Sequence, residues 1–166
     1  MTSSPPIRAA ASTPPAGPPP VVAGAAVAKP GTPRPPVRDV PGPSLSPGLM
    51  KIALAMSEEQ LLSKVTLGTR REPGICKQLG LGWIHHRRSE MTNPGWPDLV
   101  VKAPAGRAGV MFRELKKQKE KPTQDQWEWL DALSAAGMDA DWWRPSDYLC
   151  GRVARELAAL AGMRMP

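Results

Sequence analysis

The chain has 166 residues, of which 41% are hydrophobic and six are tryptophan, so its length suits one folded domain of modest size. Its formal net charge of +7 favours a polyanionic partner over acidic metabolites. No segment approaches the roughly 20 apolar residues of a membrane-spanning helix, and no secretory signal pattern opens the chain, so we expect a cytoplasmic protein with no membrane partner.

Residues 1–48 differ in composition from the rest of the chain. They contain fourteen of the 21 prolines and no aromatic residue. Such a segment cannot bury enough apolar surface to offset the entropy lost on ordering, so we predict a disordered, Pro-rich basic tail. The folded domain is then predicted to span residues 49–166. An overextended reading frame is an alternative explanation of the tail, since Met50 and Met56 lie just before the first helical pattern.

The first predicted helix spans residues 57 to about 70. Residues 57–60 have the Ser-x-x-Gln form of a capping box, and apolar residues follow at helical spacing. The Pro73-Gly74 pair breaks this helix, and residues 75–79 are predicted to add a further turn. A first strand is predicted at residues 83–86.

Two further strands are predicted at residues 98–102 and 110–116. The connection between them contains Pro104, Gly106 and Gly109, which is typical of a hairpin. Strands joined by so short a connection should pair antiparallel. The start of one strand is therefore expected to lie beside the end of the other.

The C-terminal part is predicted to form a helix, a strand and a last helix. Thr123 caps the first of these helices, and Gly137 ends it. Residues 139–144 form a fourth strand, and the last helix begins near Ser146 with an apolar stripe. The order helix, three strands, helix, strand, helix predicts an α/β core with a mixed sheet covered by helices.

Reactive side chains are concentrated where the second and third strands meet. Alternation along a strand places Glu114 and Lys116 on one face and Leu115 in the interior. Asp98 adds a second carboxylate, and hard oxygen ligands of this kind suit Mg²⁺ beside phosphate and water. The pattern predicts phosphodiester hydrolysis. The alternative is an ordinary solvent-facing strand edge within the charged run of residues 113–121.

A basic cluster leads from the first strand towards Asp98. Its members are His85, His86, Arg87 and Arg88. The two histidines are neighbours on a strand and face opposite ways, so they cannot both bind one metal ion. We expect the cluster to contact the nucleic-acid backbone, and a plain solvated loop is the alternative.

Pro97-Asp98 followed by Glu114-Leu115-Lys116 resembles the PD-(D/E)xK nuclease superfamily. A closer likeness is to its virus-type replication-repair nuclease (VRR-NUC) domain, and the further matching positions are Gly95, Leu99, Gln126, residues 135–137 and residues 143–147. The likeness covers roughly residues 56–160. It implies a restriction-endonuclease-like fold.

The resemblance also implies DNA cleavage that depends on Mg²⁺ or Mn²⁺. Asp98 and Glu114 would bind the metal, with the backbone carbonyl of Leu115 as a third ligand. Lys116 would lie beside the attacking water, and Gln126 would contribute from the facing helix. A capping role for the Gln126 side chain is the alternative, because Thr123-x-x-Gln126 is itself a capping box.

An acidic residue on the first helix belongs to the same pattern, and we assign it to Glu58, with Glu59 or Glu72 as alternatives. Small stand-alone members of the family resemble junction-resolving or structure-specific phage endonucleases that act as homodimers. The expected partners are therefore DNA, including branched DNA, and a second copy of the chain. The alternative function is a non-catalytic nucleic-acid-binding module that keeps the nuclease fold.

Overall fold

The computed structural model describes residues 44–86 and 94–163. Within these ranges the chain forms six helices and four strands. In chain order they are α1 Pro47–Ala55, α2 Glu58–Val65, α3 Ile75–Gln78, β1 Gly82–His85, β2 Leu99–Lys102, β3 Val110–Leu115, α4 Gln124–Ala135, β4 Asp139–Trp143, α5 Pro145–Leu149 and α6 Arg152–Leu160. The predicted tail, apart from residues 44–48, lies outside the described residues. Crossing a membrane requires a long apolar helix, and no helix in the described ranges meets that requirement.

The four strands form one mixed sheet in the order β1-β2-β3-β4. The β2–β3 pair is antiparallel, as the hairpin predicted, and the β1–β2 pair is antiparallel as well. Strand β4 runs parallel to β3. The predicted α/β core with a mixed sheet flanked by helices is confirmed. Since β3 is an interior strand, the solvent-facing alternative is wrong for its charged residues: Arg113 is only 2% exposed and Glu114 is fully buried.

Helices cover both faces of the sheet. One face packs on α2 and α6 and forms the main apolar core, which includes Leu61, Val65, Leu99, Val101, Met111, Leu115, Trp143, Val153 and Leu157. On the other face α4 packs on β4, and the rings of Trp127 and Trp142 meet edge to face at 6.0 Å. Glu114 belongs to this second face, because it stands beside Trp142 in the parallel register.

The N-terminal helices differ from the prediction in two ways. The predicted capping box at Ser57 is confirmed, but the helix ends at Val65 rather than near residue 70. It ends there because the chain turns at Gly68, whose φ of 66° suits glycine, and Gly68 then pairs with Pro73. Helix α1 was not predicted from the sequence, and it begins at Pro47, before the predicted domain start.

The predicted last helix is two helices. Gly151 adopts the left-handed conformation, with a φ of 78°, and separates α5 from α6. The apolar spacing continues from one helix into the next, so the sequence pattern resembles that of a single helix although the helix is interrupted at Gly151.

An ion network around the buried Arg113 joins α6 to β3 and β4. The guanidinium Nη2 of Arg113 lies 2.8 Å from Asp139 Oδ1 and 3.0 Å from Glu156 Oε2. Glu156 also accepts a hydrogen bond from Trp143 Nε1 at 2.9 Å. Burial alone would raise the pKa of Glu156, but the charges of Arg113 and Arg152 outweigh it and lower that pKa. The network fixes the residue that directly precedes Glu114.

Candidate active site

Two carboxylates lock each other at the end of the β2–β3 pair. The Asp98 Oδ2 atom accepts a hydrogen bond from the Leu115 backbone N–H at 2.9 Å. In return, the Asp98 N–H donates to Glu114 Oε2 at 3.3 Å. Because each acid is held by a rigid backbone amide beside the other, both side chains have fixed positions. The structure thus brings together the two acids that the sequence analysis selected.

Lys116 completes this pair with an ammonium group. Its Nζ lies 2.7 Å from Glu114 Oε1, and the lysine side chain is only 12% exposed. Burial would lower the pKa of Lys116, but the hydrogen bond and charge of Glu114, with the charges of Asp98 and Glu58, outweigh it and raise that pKa. The site therefore holds a charged lysine beside two acids.

Glu58 is the acidic residue of α2, the first predicted helix, that reaches this cluster. It is the first residue of α2, and its Oε1 accepts a hydrogen bond from the Lys117 N–H at 3.2 Å. Burial raises the pKa of Glu58, and the charge of Asp98 adds to this effect while Lys116 opposes it. The alternatives differ: Glu59 is exposed, and Glu72 lies in the exposed loop after α2, where its N–H donates to Thr69.

Gln126 caps the start of α4, as the alternative to a catalytic role predicted. Its Oε1 accepts a hydrogen bond from the Thr123 N–H at 2.8 Å, and this completes the capping box at the start of α4. The side-chain oxygen is therefore engaged in capping. A direct catalytic role for Gln126 remains a prediction.

The turn before Asp98 sits on the N-terminal end of α4. A Cβ added to Gly95, whose φ is 81°, would lie 2.4 Å from the carbonyl carbon of Asp125. The indole N–H of Trp129 also donates to the Pro94 carbonyl at 2.9 Å. The structural role of Gly95 was not predicted from the sequence. The feature that could have indicated it is a glycine two residues before Pro97. Gly95 thus lets α4 position the chain that leads to Asp98.

We expect Gly95→Ala to lower both stability and activity. The change forces a left-handed backbone and a steric clash, which should cost roughly 1–3 kcal/mol of unfolding free energy. Displacing Asp98 by about 1 Å should reduce turnover on the order of a hundredfold. Urea unfolding and a cleavage assay measure both effects.

Gly106→Ala is the matched control for this change. Gly106 has a φ of 82°, so it carries the same backbone penalty, but nothing lies within 4 Å of an added Cβ. It should lose some stability and keep its activity. Equal losses of activity in the two variants would rule out the contact with α4 as the cause.

The described part of the basic cluster adjoins the site. The His86 N–H donates to the Asp98 carbonyl at 2.8 Å, and its ring lies 6.1 Å from that of Trp96. His85 is in β1, where it pairs with Leu99. Arg87 and Arg88 lie outside the described residues. Contact of these four residues with nucleic acid stays a prediction.

The donor atoms at this site fit a hard divalent cation. The β2–β3 pairing ends at Leu99 and Arg113, and beyond it the Leu115 N–H bonds the Asp98 side chain. The two carboxylates and the Leu115 carbonyl are oxygen ligands of the kind that Mg²⁺ prefers. Among the described residues, no three Asp, Glu, His or Cys side chains form a metal site on their own. Further ligands would therefore come from backbone, water and substrate.

Glu114 is the most strongly perturbed acid of the site. Burial, and then the charge of Asp98, raise its pKa to about 8, although Lys116 opposes the shift. In the metal-free protein the folded state therefore keeps a proton that the unfolded chain releases near its ordinary value of 4.5. The free energy of unfolding should consequently fall as the pH rises between those two values, by roughly 1 kcal/mol per unit at the steepest.

Urea unfolding in EDTA at several pH values tests this sign. Glu114→Gln carries a neutral side chain throughout, so its stability should lose the downward slope. Glu59→Gln removes an exposed acid from α2 and should keep the slope of the parent. A parent protein that gains stability from pH 5 to pH 8, with Glu114→Gln behaving identically, contradicts the assignment.

No family model matches the chain, and comparisons with curated proteins and with solved structures give no match. The functional interpretation therefore depends on the side-chain geometry and on the ordered motifs in the chain.

Proposed function

We propose that this protein is a metal-dependent endonuclease of the PD-(D/E)xK type, with a restriction-endonuclease-like core related to the VRR-NUC domain. The observation that supports it most is the pair of reciprocal hydrogen bonds that hold Asp98 and Glu114 together. Lys116 Nζ lies 2.7 Å from Glu114 Oε1, and Glu58 lies near this cluster. Such a cluster of acids and one ammonium at a strand end suits phosphodiester hydrolysis. The proposed substrate is DNA, including branched and other non-duplex forms.

In the proposed reaction, water attacks phosphorus, one phosphorus–oxygen ester bond breaks, and the departing oxygen takes up a proton. Asp98, Glu114 and the Leu115 carbonyl would hold Mg²⁺ or Mn²⁺, and Glu58 would accept a hydrogen bond from a water at the site. When bound, the cation supplies phosphoryl polarisation and a more acidic water. Glu114 must lose its proton before it can act as a ligand.

Lys116 has two parts in this proposal. Its ammonium orients the attacking water at the phosphorus, and it offsets negative charge that grows on the phosphoryl oxygens. Both effects are stronger in a partly buried site than in water, because solvent screens the charge less. The hydrogen bond to Glu114 keeps the ammonium pointed at the acids.

The rival function is a nucleic-acid-binding module without catalysis. One observation favours it: both Glu114 carboxylate oxygens and the Asp98 Oδ2 already accept hydrogen bonds from protein groups. A metal would have to displace or share those bonds. Fold alone does not decide between the two functions.

A substrate panel separates the enzyme from the module. Labelled single strand, duplex, flap, four-way junction and RNA are incubated with Mg²⁺, with Mn²⁺ or with EDTA. Products that appear only with metal and are absent for Asp98→Asn support the nuclease. Binding without product under both metals defeats it and supports the module. Product on RNA alone overturns the choice of DNA.

The family likeness also leads us to propose a homodimer. Light scattering of the full chain at several concentrations gives the mass directly. A monomer mass at every concentration, with full cleavage activity, excludes the dimer as the working form.

A further inference from the structure

The loop between α2 and α3 has a single, tightly bonded shape. The Gly68 N–H donates to the Ser63 carbonyl at 2.7 Å, and the Gly74 N–H donates to the Leu67 carbonyl at 3.1 Å. A Cβ on Gly68 would lie 2.1 Å from the Gly74 nitrogen, so only glycine allows this close backbone packing. Leu67 of this loop is 57% exposed, so backbone hydrogen bonds rather than burial of this side chain hold the loop in shape.

This loop forms one wall of a cleft between α2, α3 and α5. The cleft has a volume of about 460 Å³ and is lined by Lys64, Arg71, Glu72, Pro73, Gln78 and Tyr148. The Lys64 ammonium lies 5.8 Å from the ring centroid of Tyr148. Two cations outnumber the single acid of the lining. The Gln78 Nε2 group donates to the Pro73 carbonyl. The ammonium, the guanidinium and the phenol of the lining are together well suited to bind a phosphate group.

The cleft lies on the same two helices that border the candidate active site. Helix α2 starts with Glu58, and Lys64 follows six residues later, which is about 9 Å along the helix axis. The Ser146 N–H of α5 donates to Gln118 in the segment after Lys116, at 2.9 Å, and Tyr148 lies on that same helix. The cleft and the candidate site are therefore close enough for nearby phosphates of one strand to contact both.

We propose that this cleft is a second phosphate subsite, which binds the DNA backbone within a few nucleotides of the phosphodiester at Asp98 and Lys116. The inference rests on the proposed nuclease function and assigns Lys64 and Arg71 the role of holding the strand. Arg71 would form the directional contact through its planar guanidinium, and Lys64 would act as a point charge.

Binding without catalysis gives the first test. Affinity of the full chain for a fluorescein-labelled single strand is measured by anisotropy in EDTA at several salt concentrations. Arg71→Ala should bind about tenfold more weakly, and its salt slope should fall by about 0.7, the value for one lost phosphate contact. The matched control is Arg70→Ala, which removes the same charge from the next position of the loop but outside the cleft. Equal losses for Arg70→Ala and Arg71→Ala would overturn the subsite.

Position along the strand gives the second test. A series of substrates carries one neutral methylphosphonate linkage at successive positions along the strand. At one linkage of the series, Arg71→Ala should cause no further loss of binding, because the contact is already absent. If the parent protein cleaves the strand, this linkage should lie within a few nucleotides of the cut. Additive losses at every linkage overturn the subsite while cleavage by the parent protein leaves the nuclease proposal standing. Non-additivity at one linkage in a chain that never cleaves supports the subsite and defeats the nuclease.

A free nucleotide is the other source of the same chemistry. Adenosine monophosphate and inorganic phosphate are titrated against the labelled strand. Competition that Arg71→Ala weakens supports one shared subsite. Saturable nucleotide binding that depends on Arg71 and leaves strand binding unchanged would overturn the proposal in favour of a separate nucleotide site.

Discussion

Asp98→Asn is expected to abolish metal-dependent cleavage, with a rate loss of at least about a thousandfold, equivalent to about 4 kcal/mol of transition-state stabilisation. The amide oxygen of asparagine can still accept the Leu115 N–H, so the lock that holds the turn should survive. What disappears is one negative ligand for the cation. Single-turnover cleavage with saturating Mg²⁺ measures the loss, and circular dichroism verifies the fold.

DNA binding in EDTA should remain close to that of the parent, since Asp98 contributes no positive charge. Asp125→Asn is the matched control, because it removes an exposed acid from the first turn of α4, next to the same Gly95 turn. It should cleave at the parent rate. An Asp98→Asn protein that cuts as fast as the parent ends the proposed assignment of the site.

Lys116→Met is expected to show the second large effect, a fall in turnover on the order of a hundredfold to a thousandfold. Methionine keeps much of the side-chain volume but removes the ammonium beside Glu114. The buried carboxylate then loses its nearest positive charge, so its pKa should rise further and metal binding should require a higher pH. Turnover and metal affinity measured across pH test both consequences.

Lys116→Arg separates charge from geometry. Its positive charge should largely restore stability, whereas the planar guanidinium cannot take the position of the ammonium, so activity should stay low. Lys117→Met is the control, because that side chain is 58% exposed and pairs with Glu120 at 3.1 Å. Full activity of Lys116→Met at saturating substrate would show that the ammonium has no part in the reaction.

Several local features followed from the sequence because their causes lie within a few residues. The capping boxes at Ser57 and Thr123 form as predicted, since each needs only a hydroxyl and a glutamine three residues later. The short 103–109 connection leaves its two strands no option but antiparallel pairing. That pairing, with side-chain alternation, was enough to predict that Asp98, Glu114 and Lys116 meet.

Other features depend on residues that are distant in the chain. Nothing near Arg113 in sequence indicates that it is buried, because its partners Asp139 and Glu156 come from β4 and α6. Likewise, two adjacent glutamates begin α2, and only the packing of that helix beside Lys117 distinguishes Glu58 from Glu59. The end of α2 was misjudged because Gly68 stops it by packing on Gly74, across a loop.

The sequence by itself therefore determined the starts of α2 and α4, the hairpin and the meeting of Asp98, Glu114 and Lys116, since hydrogen bonds and sterics over a few residues govern these features. Only the tertiary structure decided which charges are buried, which acidic residue of α2 reaches the site, and where α2 and α6 meet the sheet. The physical reason is that the cost of burying a charge is offset by partners that folding brings from elsewhere in the chain.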